Sequence, residues 1–153
     1  MFYPNNYALV SGYGNDKFKL VSFDKALFNA GASNYNLVKV SSILPAKCAQ
    51  SPIITTKQGS IIFAAYSTYS LNNFGIISSA VGVGIPKNID DIGVIMEYSC
   101  NDKVEISECN VREMVCKSMA IREIDIAEIK ITSVEATASK DEFTTVFSAL
   151  VMW

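Results

Sequence analysis

The sequence predicts an α+β sandwich, built from β-sheets and a small number of helices. Its predicted elements follow the order strand, helix, several strands, long helix and closing strands, which is typical of this fold class. The apolar runs at 61–66, 76–81 and 92–98 are nearly continuous, so the sheets are expected to be covered on both faces. No repeat, low-complexity segment or linker divides the chain, and residues 1–153 are expected to form a single domain.

The N-terminal part of the chain predicts a strand followed by a helix. Tyr7–Val10 is typical of the strand, and the polar, glycine-containing stretch Ser11–Asp16 indicates a turn after it. Ser22 is expected to cap the helix, which places Asp24 in the first turn, where the positive end of a helix stabilises a carboxylate. Gly31 stands where a left-handed C-terminal cap belongs.

The longest helix is predicted in the second half of the chain. It covers about Val104–Ile121, with glutamate early and Lys117 and Arg122 late, as the helix dipole favours. The remaining strands are predicted at 61–66, 76–81, 92–98, 127–138 and 143–153.

The composition is rich in apolar residues for a chain of this length. Half of the 153 residues are hydrophobic and only 18% are charged, so part of the surface is expected to be buried against other copies. No apolar run approaches the roughly 20 residues that a membrane helix needs, and the first residues lack the basic region of a secretion signal. The protein is therefore expected to be cytoplasmic and oligomeric, without a membrane partner.

The chain contains no histidine, which excludes Ser-His-Asp and Cys-His catalysis and leaves acid–base work to carboxylates, lysine, tyrosine, water or a cofactor. Its four cysteines form no C-x-x-C pair, and no metal site is expected. Cys109 and Cys116 would share a helix face and are predicted to be small buried hydrophobes. The basic residues of 1–89 are scattered rather than clustered, which gives nucleic-acid binding little support.

Glu97 is a carboxylate within an otherwise apolar strand. Alternation places Val94, Met96 and Tyr98 on one face of this strand, and Ile95 and Glu97 on the other. Glu97 is then either at an exposed strand end or partly desolvated. Partial burial disfavours the charged form of a carboxyl group, which would suit a proton donor.

A short β-branched run ends in two adjacent hydroxyls. Asn36–Val40 leads into Ser41 and Ser42, and Pro45 ends the run. Taken alone, the pattern is typical of a strand end whose serines form hydrogen bonds. Lys39 is a flanking strand residue on a short chain, so it is not expected to bind pyridoxal phosphate.

Five ordered segments resemble the pyruvoyl-dependent arginine decarboxylase family, and the similarity runs from about Leu9 to Trp153. A double serine alone is common, since Ser78-Ser79 is a second one, whereas the ordered set of five segments is specific. The segments are Phe23-Asp24-x-Ala26-Leu27-x-Asn29-Ala30-Gly31, Asn36-Leu37-Val38-x-Val40-Ser41-Ser42-Ile43-Leu44-Pro45, Ile95-Met96-Glu97-Tyr98, Val111-Arg112-Glu113-Met114 and Ala149-Leu150-x-x-Trp153.

The resemblance implies an enzyme that makes its own cofactor. In that family the hydroxyl of the second serine attacks the preceding carbonyl, and elimination and hydrolysis leave a pyruvoyl group. Here Ser42 would attack the carbonyl of Ser41, and the chain would split into 1–41 (β chain) and 42–153 (α chain), with pyruvoyl in place of Ser42. Nucleophile and target are covalently adjacent, so the fold must add an unusual backbone geometry and donors for the oxyanion.

The resemblance also implies roles for other residues. The pyruvoyl group forms a Schiff base with L-arginine and withdraws electrons as CO₂ leaves, which yields agmatine for polyamine synthesis or acid resistance. Glu97 is the implied proton donor, Asp24 meets the guanidinium group, and Asn36 is an active-site amide. The implied fold is a four-layer α/β/β/α sandwich of the pyruvoyl-dependent histidine/arginine decarboxylase type.

One straight strand would place Asn36 about 20 Å from Ser42, at roughly 3.3 Å per residue. The resemblance implies homotrimers or dimers of trimers with active sites between subunits, so Asn36 is predicted to act across an interface. Two alternatives stay open: the same chemistry on another amino acid, and a non-catalytic structural or regulatory member of the family. Neither Ser42 nor Glu97 is lost, which favours the enzyme.

Overall fold

Two β-sheets and two helices make up the structure, a computed structural model that describes residues 1–153. The helices are α1 (Lys19–Asn29) and α2 (Val104–Ile121). The strands are β1 (Asn6–Asp16), β2 (Asn36–Lys39), β3 (Ile43–Leu44), β4 (Ala49–Gln50), β5 (Ile61–Leu71), β6 (Gly75–Pro86), β7 (Gly93–Cys100), β8 (Ile126–Ala138) and β9 (Phe143–Met152). The α+β prediction is confirmed, and α2 has the predicted bounds.

The two sheets differ in their strand directions. The five-stranded sheet has the order β2-β5-β9-β1-β4, with β9 antiparallel to its neighbours and the short edge strands β2 and β4 parallel to theirs. The four-stranded sheet has the order β3-β7-β6-β8 and is antiparallel throughout. Thus β2 and β3, which are consecutive in the chain, form edges of different sheets.

Apolar clusters join each helix to one sheet and the two sheets to each other. Ala26 and Leu27 of α1 pack with Phe147 of the five-stranded sheet. Val111 and Val115 of α2 are fully buried on the four-stranded sheet, and burying a side chain of this size contributes about 1.5–3 kcal/mol. The cluster between the sheets comprises Tyr7, Leu44, Ala65, Val81, Val83, Ile95, Leu150 and Met152.

The predicted turn at Ser11–Asp16 is wrong, because β1 continues through it. Its glycines serve helix packing instead. A Cβ on Gly12 would lie 2.6 Å from the backbone nitrogen of Ala30 and 2.7 Å from the carbonyl oxygen of Ala26. These distances are far shorter than van der Waals contact, so α1 can lie on β1 only where the strand has no side chain.

Gly12→Ala should therefore lower the free energy of unfolding by about 1–3 kcal/mol, the usual cost of overpacking. Urea titration followed by circular dichroism measures this change. Gly75→Ala is the matched control, because a Cβ there meets the movable side chains of Asn101 and Leu71 rather than backbone. Equal stability of the Gly12 variant and the wild type would contradict the close packing of α1 on β1.

The start of α1 also differs from the prediction. The helix begins at Lys19, where the Asp16 carboxylate accepts a hydrogen bond from the backbone N–H of Phe18 at 2.9 Å. Ser22 therefore lies inside the helix and donates to the carbonyl of Lys19, so it is not the cap, and Asp24 is not in the first turn. The C-terminal prediction is confirmed, since Gly31 has a φ of 77°.

The prediction that Cys109 and Cys116 are buried is wrong, since both are exposed on α2. The stripe of α2 that faces the sheet has a four-residue spacing and consists of Ser107, Val111, Val115 and Met119. Cys109 and Cys116 lie off this stripe and face outward. Neither helix of the structure combines the length and apolar character that crossing a membrane would demand.

Candidate active site

Glu97 lies on the face of β7 that is directed toward the other sheet. Val94, Met96 and Tyr98 pack with the buried side chains of α2 on the four-stranded sheet, whereas Ile95 belongs to the cluster between the sheets. The predicted alternation is therefore confirmed. The Glu97 side chain is 25% exposed, so the carboxyl group is partly buried rather than fully solvated at a strand end.

The chain passes from one sheet to the other at Ser41 and Ser42. The Val40 N–H donates to the carbonyl of Ala64 at 3.1 Å, which belongs to the five-stranded sheet. The Ser42 carbonyl accepts a hydrogen bond from the N–H of Ile95 at 2.8 Å, which belongs to the four-stranded sheet. The peptide bond between the two serines therefore bridges the gap between two sheet edges, and the straight strand over 36–42 considered from the sequence is not formed.

This bridging peptide takes no part in either hydrogen-bond ladder. The carbonyl of Ser41 accepts no hydrogen bond from the chain, and the N–H of Ser42 donates none. Neither residue has a positive φ. The Ser41 carbonyl thus has no hydrogen-bond donor for a developing oxyanion within this single chain.

The second double serine is held quite differently. Ser78 and Ser79 are both buried within β6, where both of their neighbouring strands pair with them. The Ser79 hydroxyl donates to the carbonyl of Ser67 at 3.0 Å, and Ser78 shares a 2.7 Å hydrogen bond with Ser107. Their hydroxyls are committed to the core, whereas Ser41 is exposed and Ser42 is half-buried.

The register of β3 on β7 places Ser42 and Glu97 on the same face. Ile43 is opposite Val94 and Leu44 is opposite Gly93, so the hydrogen bond from Ile95 continues this register to Ser42. Residues opposite each other in antiparallel strands point to the same side. Glu97 is the diagonal neighbour of Ser42 on that side, and such neighbours lie about 7–8 Å apart.

A small cavity adjoins Ser41. It has a volume of about 210 Å³ and is lined mainly by apolar side chains of the N-terminal segment and of the two sheets. Phe2 forms part of its wall and packs on Phe63 with ring centroids 5.2 Å apart, while the Tyr3 hydroxyl donates to the carbonyl of Ala46 at 3.2 Å. The first residues, to which the sequence assigned no role, therefore line a cavity beside Ser41.

Asn36 and Asp24 do not join this cluster within one chain. Asn36 begins β2, at the end remote from Ser42, and its side-chain amide donates to the carbonyl of Gly59 at 3.0 Å. Asp24 is exposed on α1, which packs on β1 and β9. Of the predicted site residues, one chain thus brings together Ser41, Ser42 and Glu97 only.

A larger cavity of about 430 Å³ opens beyond Pro45. Cys48 lines it, and burial raises the pKa of this thiol to about 11, so the thiol is protonated and a poor nucleophile at neutral pH. Burial is also the main cause that raises the pKa of Tyr7 on another wall. No cluster of three acidic or cysteine side chains with the geometry of a metal site occurs in the structure.

Sequence reasoning missed one neighbour of Glu97. The ammonium group of Lys39 lies 3.5 Å from its carboxyl oxygen Oε1. Lys39 and Glu97 are distant in the sequence and lie in different sheets, so no local pattern could have indicated the contact.

Comparison with known proteins identifies relatives along nearly the whole chain. Residues 6–153 match the family model described as pyruvoyl-dependent arginine decarboxylase (PvlArgDC). A protein of Methanococcus aeolicus with the same name is 37% identical over 153 residues, which cover 98% of this chain and 90% of that protein. Proteins of this name from Methanocaldococcus jannaschii and Thermococcus kodakarensis are 34% and 36% identical, covering 98% and 88% of this chain and 90% and 86% of theirs.

Proposed function

Because the chain belongs to the family of pyruvoyl-dependent arginine decarboxylases, we propose that it converts L-arginine to agmatine and CO₂ after processing itself at Ser42. The observation that carries this proposal is the peptide between Ser41 and Ser42, which crosses between the sheets without hydrogen bonds and beside Glu97. Val40 on one side and Ile43 on the other are each paired to a sheet, so the chain is fixed on both sides of the peptide bond that would be cleaved.

In the processing step, the Ser42 hydroxyl oxygen attacks the Ser41 carbonyl carbon, and the peptide C–N bond breaks as an ester forms. Elimination then removes the Cα proton of Ser42 and breaks its Cβ–Oγ bond, so that this oxygen leaves as part of the Ser41 carboxylate, and hydrolysis of the remaining enamine releases ammonia and leaves the ketone. The products are residues 1–41 and 42–153. Many hydrogen bonds hold these two pieces together, including the β1–β9 and β2–β5 pairings.

The surroundings of Ser42 fit such a group. The Ser42 carbonyl is held by Ile95, which would keep the new N-terminus of the larger piece in place after cleavage. The inner face of β7 offers apolar Ile95 and the carboxyl group of Glu97. A pyruvoyl group supplies an electron sink for the loss of CO₂ from an amino acid. Glu97 then delivers the proton that replaces CO₂ at the substrate Cα.

The assembly completes the site in this proposal. Asp24 pairs with the substrate guanidinium, a charge-assisted geometry that suits arginine, and Asn36 acts across a subunit interface. Homotrimers or dimers of trimers of a four-layer α/β/β/α sandwich, the histidine/arginine decarboxylase type, would provide this interface in the cytoplasm. Leu20, Val21 and Phe28 of α1 are exposed apolar side chains, which supports burial of the outer surface of α1 against another subunit. A structure of the assembly with Asn36 remote from every Ser42 would contradict the proposal.

The same chemistry on another amino acid is the second candidate. One observation favours keeping it: Asp24 lies on α1, away from Ser42 and Glu97 within a chain, so a single chain does not form a guanidinium site beside Ser42. A non-catalytic structural or regulatory role has no comparable support.

Intact-mass analysis of the purified protein and CO₂ release across a panel of amino acids test the function. We expect two fragments that separate after Ser41, the larger with a blocked N-terminus, and CO₂ release from L-arginine above that from lysine or ornithine. Asp24→Asn should reduce this preference while leaving cleavage intact. A single uncleaved chain under native conditions would contradict the enzymatic proposal, and equal rates with all basic amino acids would contradict the substrate.

A further inference from the structure

Glu97 has a single charged partner in the protein. Its Oε1 lies 3.5 Å from the Nζ atom of Lys39, and Glu97 takes part in no other ion pair. The carboxyl group is partly buried, yet no backbone N–H or hydroxyl group of the chain donates a hydrogen bond to it. Lys39 is therefore the only polar group of the chain that orients it.

Lys39 is itself held in place. Its backbone pairs with Ala64 at the end of β2, and its ammonium group donates to the carbonyl of Tyr66 at 3.0 Å. The same ammonium lies 4.7 Å from the centroid of the Tyr66 ring, which packs on Phe147 at 5.5 Å. Although 54% of the Lys39 side chain is exposed, these contacts give its charge a defined position at the edge of the five-stranded sheet.

We infer that Lys39 is a positioning residue for Glu97, an inference that rests on the proposed function. A general acid must come within about 2.6–3.2 Å of the atom it protonates, and a carboxyl group that rotates freely does so only part of the time. The separation of 3.5 Å exceeds an ordinary hydrogen bond. Lys39 thus orients the group through Oε1 and leaves Oε2 free to carry the proton.

The contact also crosses the proposed cleavage point. Lys39 belongs to residues 1–41 and Glu97 to residues 42–153, so after cleavage the smaller fragment would still hold the proton donor of the larger one. This gives the smaller fragment a function at the site that is distinct from its part in the five-stranded sheet.

Lys39→Met tests the inference, because methionine keeps the length of the side chain and removes its charge. We expect kcat for arginine, expressed per cleaved chain, to fall about tenfold or more, with KM within about twofold of the wild type. Lys39→Arg should recover most of kcat, because it restores the charge. Lys87→Met is the matched control, since Lys87 forms an ion pair of the same 3.5 Å length with Asp125 away from Ser42.

Crystal structures of these variants supply a readout that does not depend on activity. Glu97 should occupy one side-chain conformation in the wild type and Lys39→Arg, and several in Lys39→Met. A wild-type kcat in Lys39→Met, failure of Lys39→Arg to restore kcat, or an unchanged Glu97 conformation in Lys39→Met would overturn the inference. If the wild-type protein releases no CO₂ from arginine, the proposed function fails by itself, and the conformation of Glu97 still decides the role of Lys39.

Discussion

Ser42→Ala should yield a single uncleaved chain with no decarboxylase activity. Alanine lacks the hydroxyl oxygen that would attack the Ser41 carbonyl, and no nearby group can replace it, since the Cys48 thiol is protonated at neutral pH and faces a different cavity. Without cleavage the ketone is never formed, so the loss should be complete rather than partial. Intact-mass analysis measures cleavage, and CO₂ release from L-arginine measures activity.

The Ser42 variant should retain the wild-type fold. The hydrogen bond that Ser42 makes to β7 uses its backbone carbonyl, which alanine keeps. A circular dichroism spectrum and an unfolding midpoint close to those of the wild type would establish this. Any decarboxylation by a folded Ser42→Ala protein would reject the mechanism.

Ser41→Ala is the informative control. It removes the adjacent hydroxyl, which is exposed, but leaves both the Ser42 nucleophile and the target carbonyl. We expect this variant to cleave at the same bond. If cleavage were lost in Ser41→Ala and kept in Ser42→Ala, the nucleophile would be Ser41 rather than Ser42, and the proposal would be wrong.

Periodicity predicted the elements whose burial follows a regular pattern. Helix α2 has the predicted bounds because Asn101 and Asp102 precede it, and glutamate stands early and basic residues late in it, as the helix dipole favours. The face of Glu97 was predictable because the side chains of a strand alternate. Such patterns are local, and they survive without knowledge of the partner.

The features that the sequence could not reveal depend on partners distant in the chain. Gly12 resembles a turn residue until α1 is seen to lie against it. The passage from β2 to β3 is invisible for a related reason: each half pairs with a strand far along the chain, namely β5 and β7. The contact between Lys39 and Glu97 follows from that passage and could only come from the tertiary structure.

One chain forms only part of the proposed active site. Family resemblance directed attention to Ser42, Glu97, Asp24 and Asn36, but only the first two lie on one face of one sheet. Short-range reasoning about a straight strand already indicated that Asn36 could not reach Ser42. Because Asp24 lies on α1, its proposed contact with the substrate's guanidinium group would also need a second subunit.

Glu97→Gln should lower kcat by about 10²–10⁴-fold, the usual contribution of a general acid, with little change in KM. Glutamine has nearly the same shape and keeps one acceptor oxygen toward Lys39, but it has no proton to deliver to the substrate Cα. Because the group acts after the substrate has bound, the loss should fall on turnover rather than on affinity. Steady-state CO₂ release, normalised to the cleaved fraction from intact-mass analysis, measures both constants.

Glu128→Gln is the matched control for this change. Glu128 is also a strand carboxylate with a long ion pair, 3.8 Å to Lys130, but it lies on β8, at the edge of the four-stranded sheet opposite β3. It should leave kcat and KM unchanged, which would tie the effect to the place of Glu97 rather than to the loss of one negative charge. A Glu97→Gln protein that turns over at the wild-type rate would mean that water or another subunit supplies the proton, and the partly buried carboxyl group facing Ser42 would then need a different explanation.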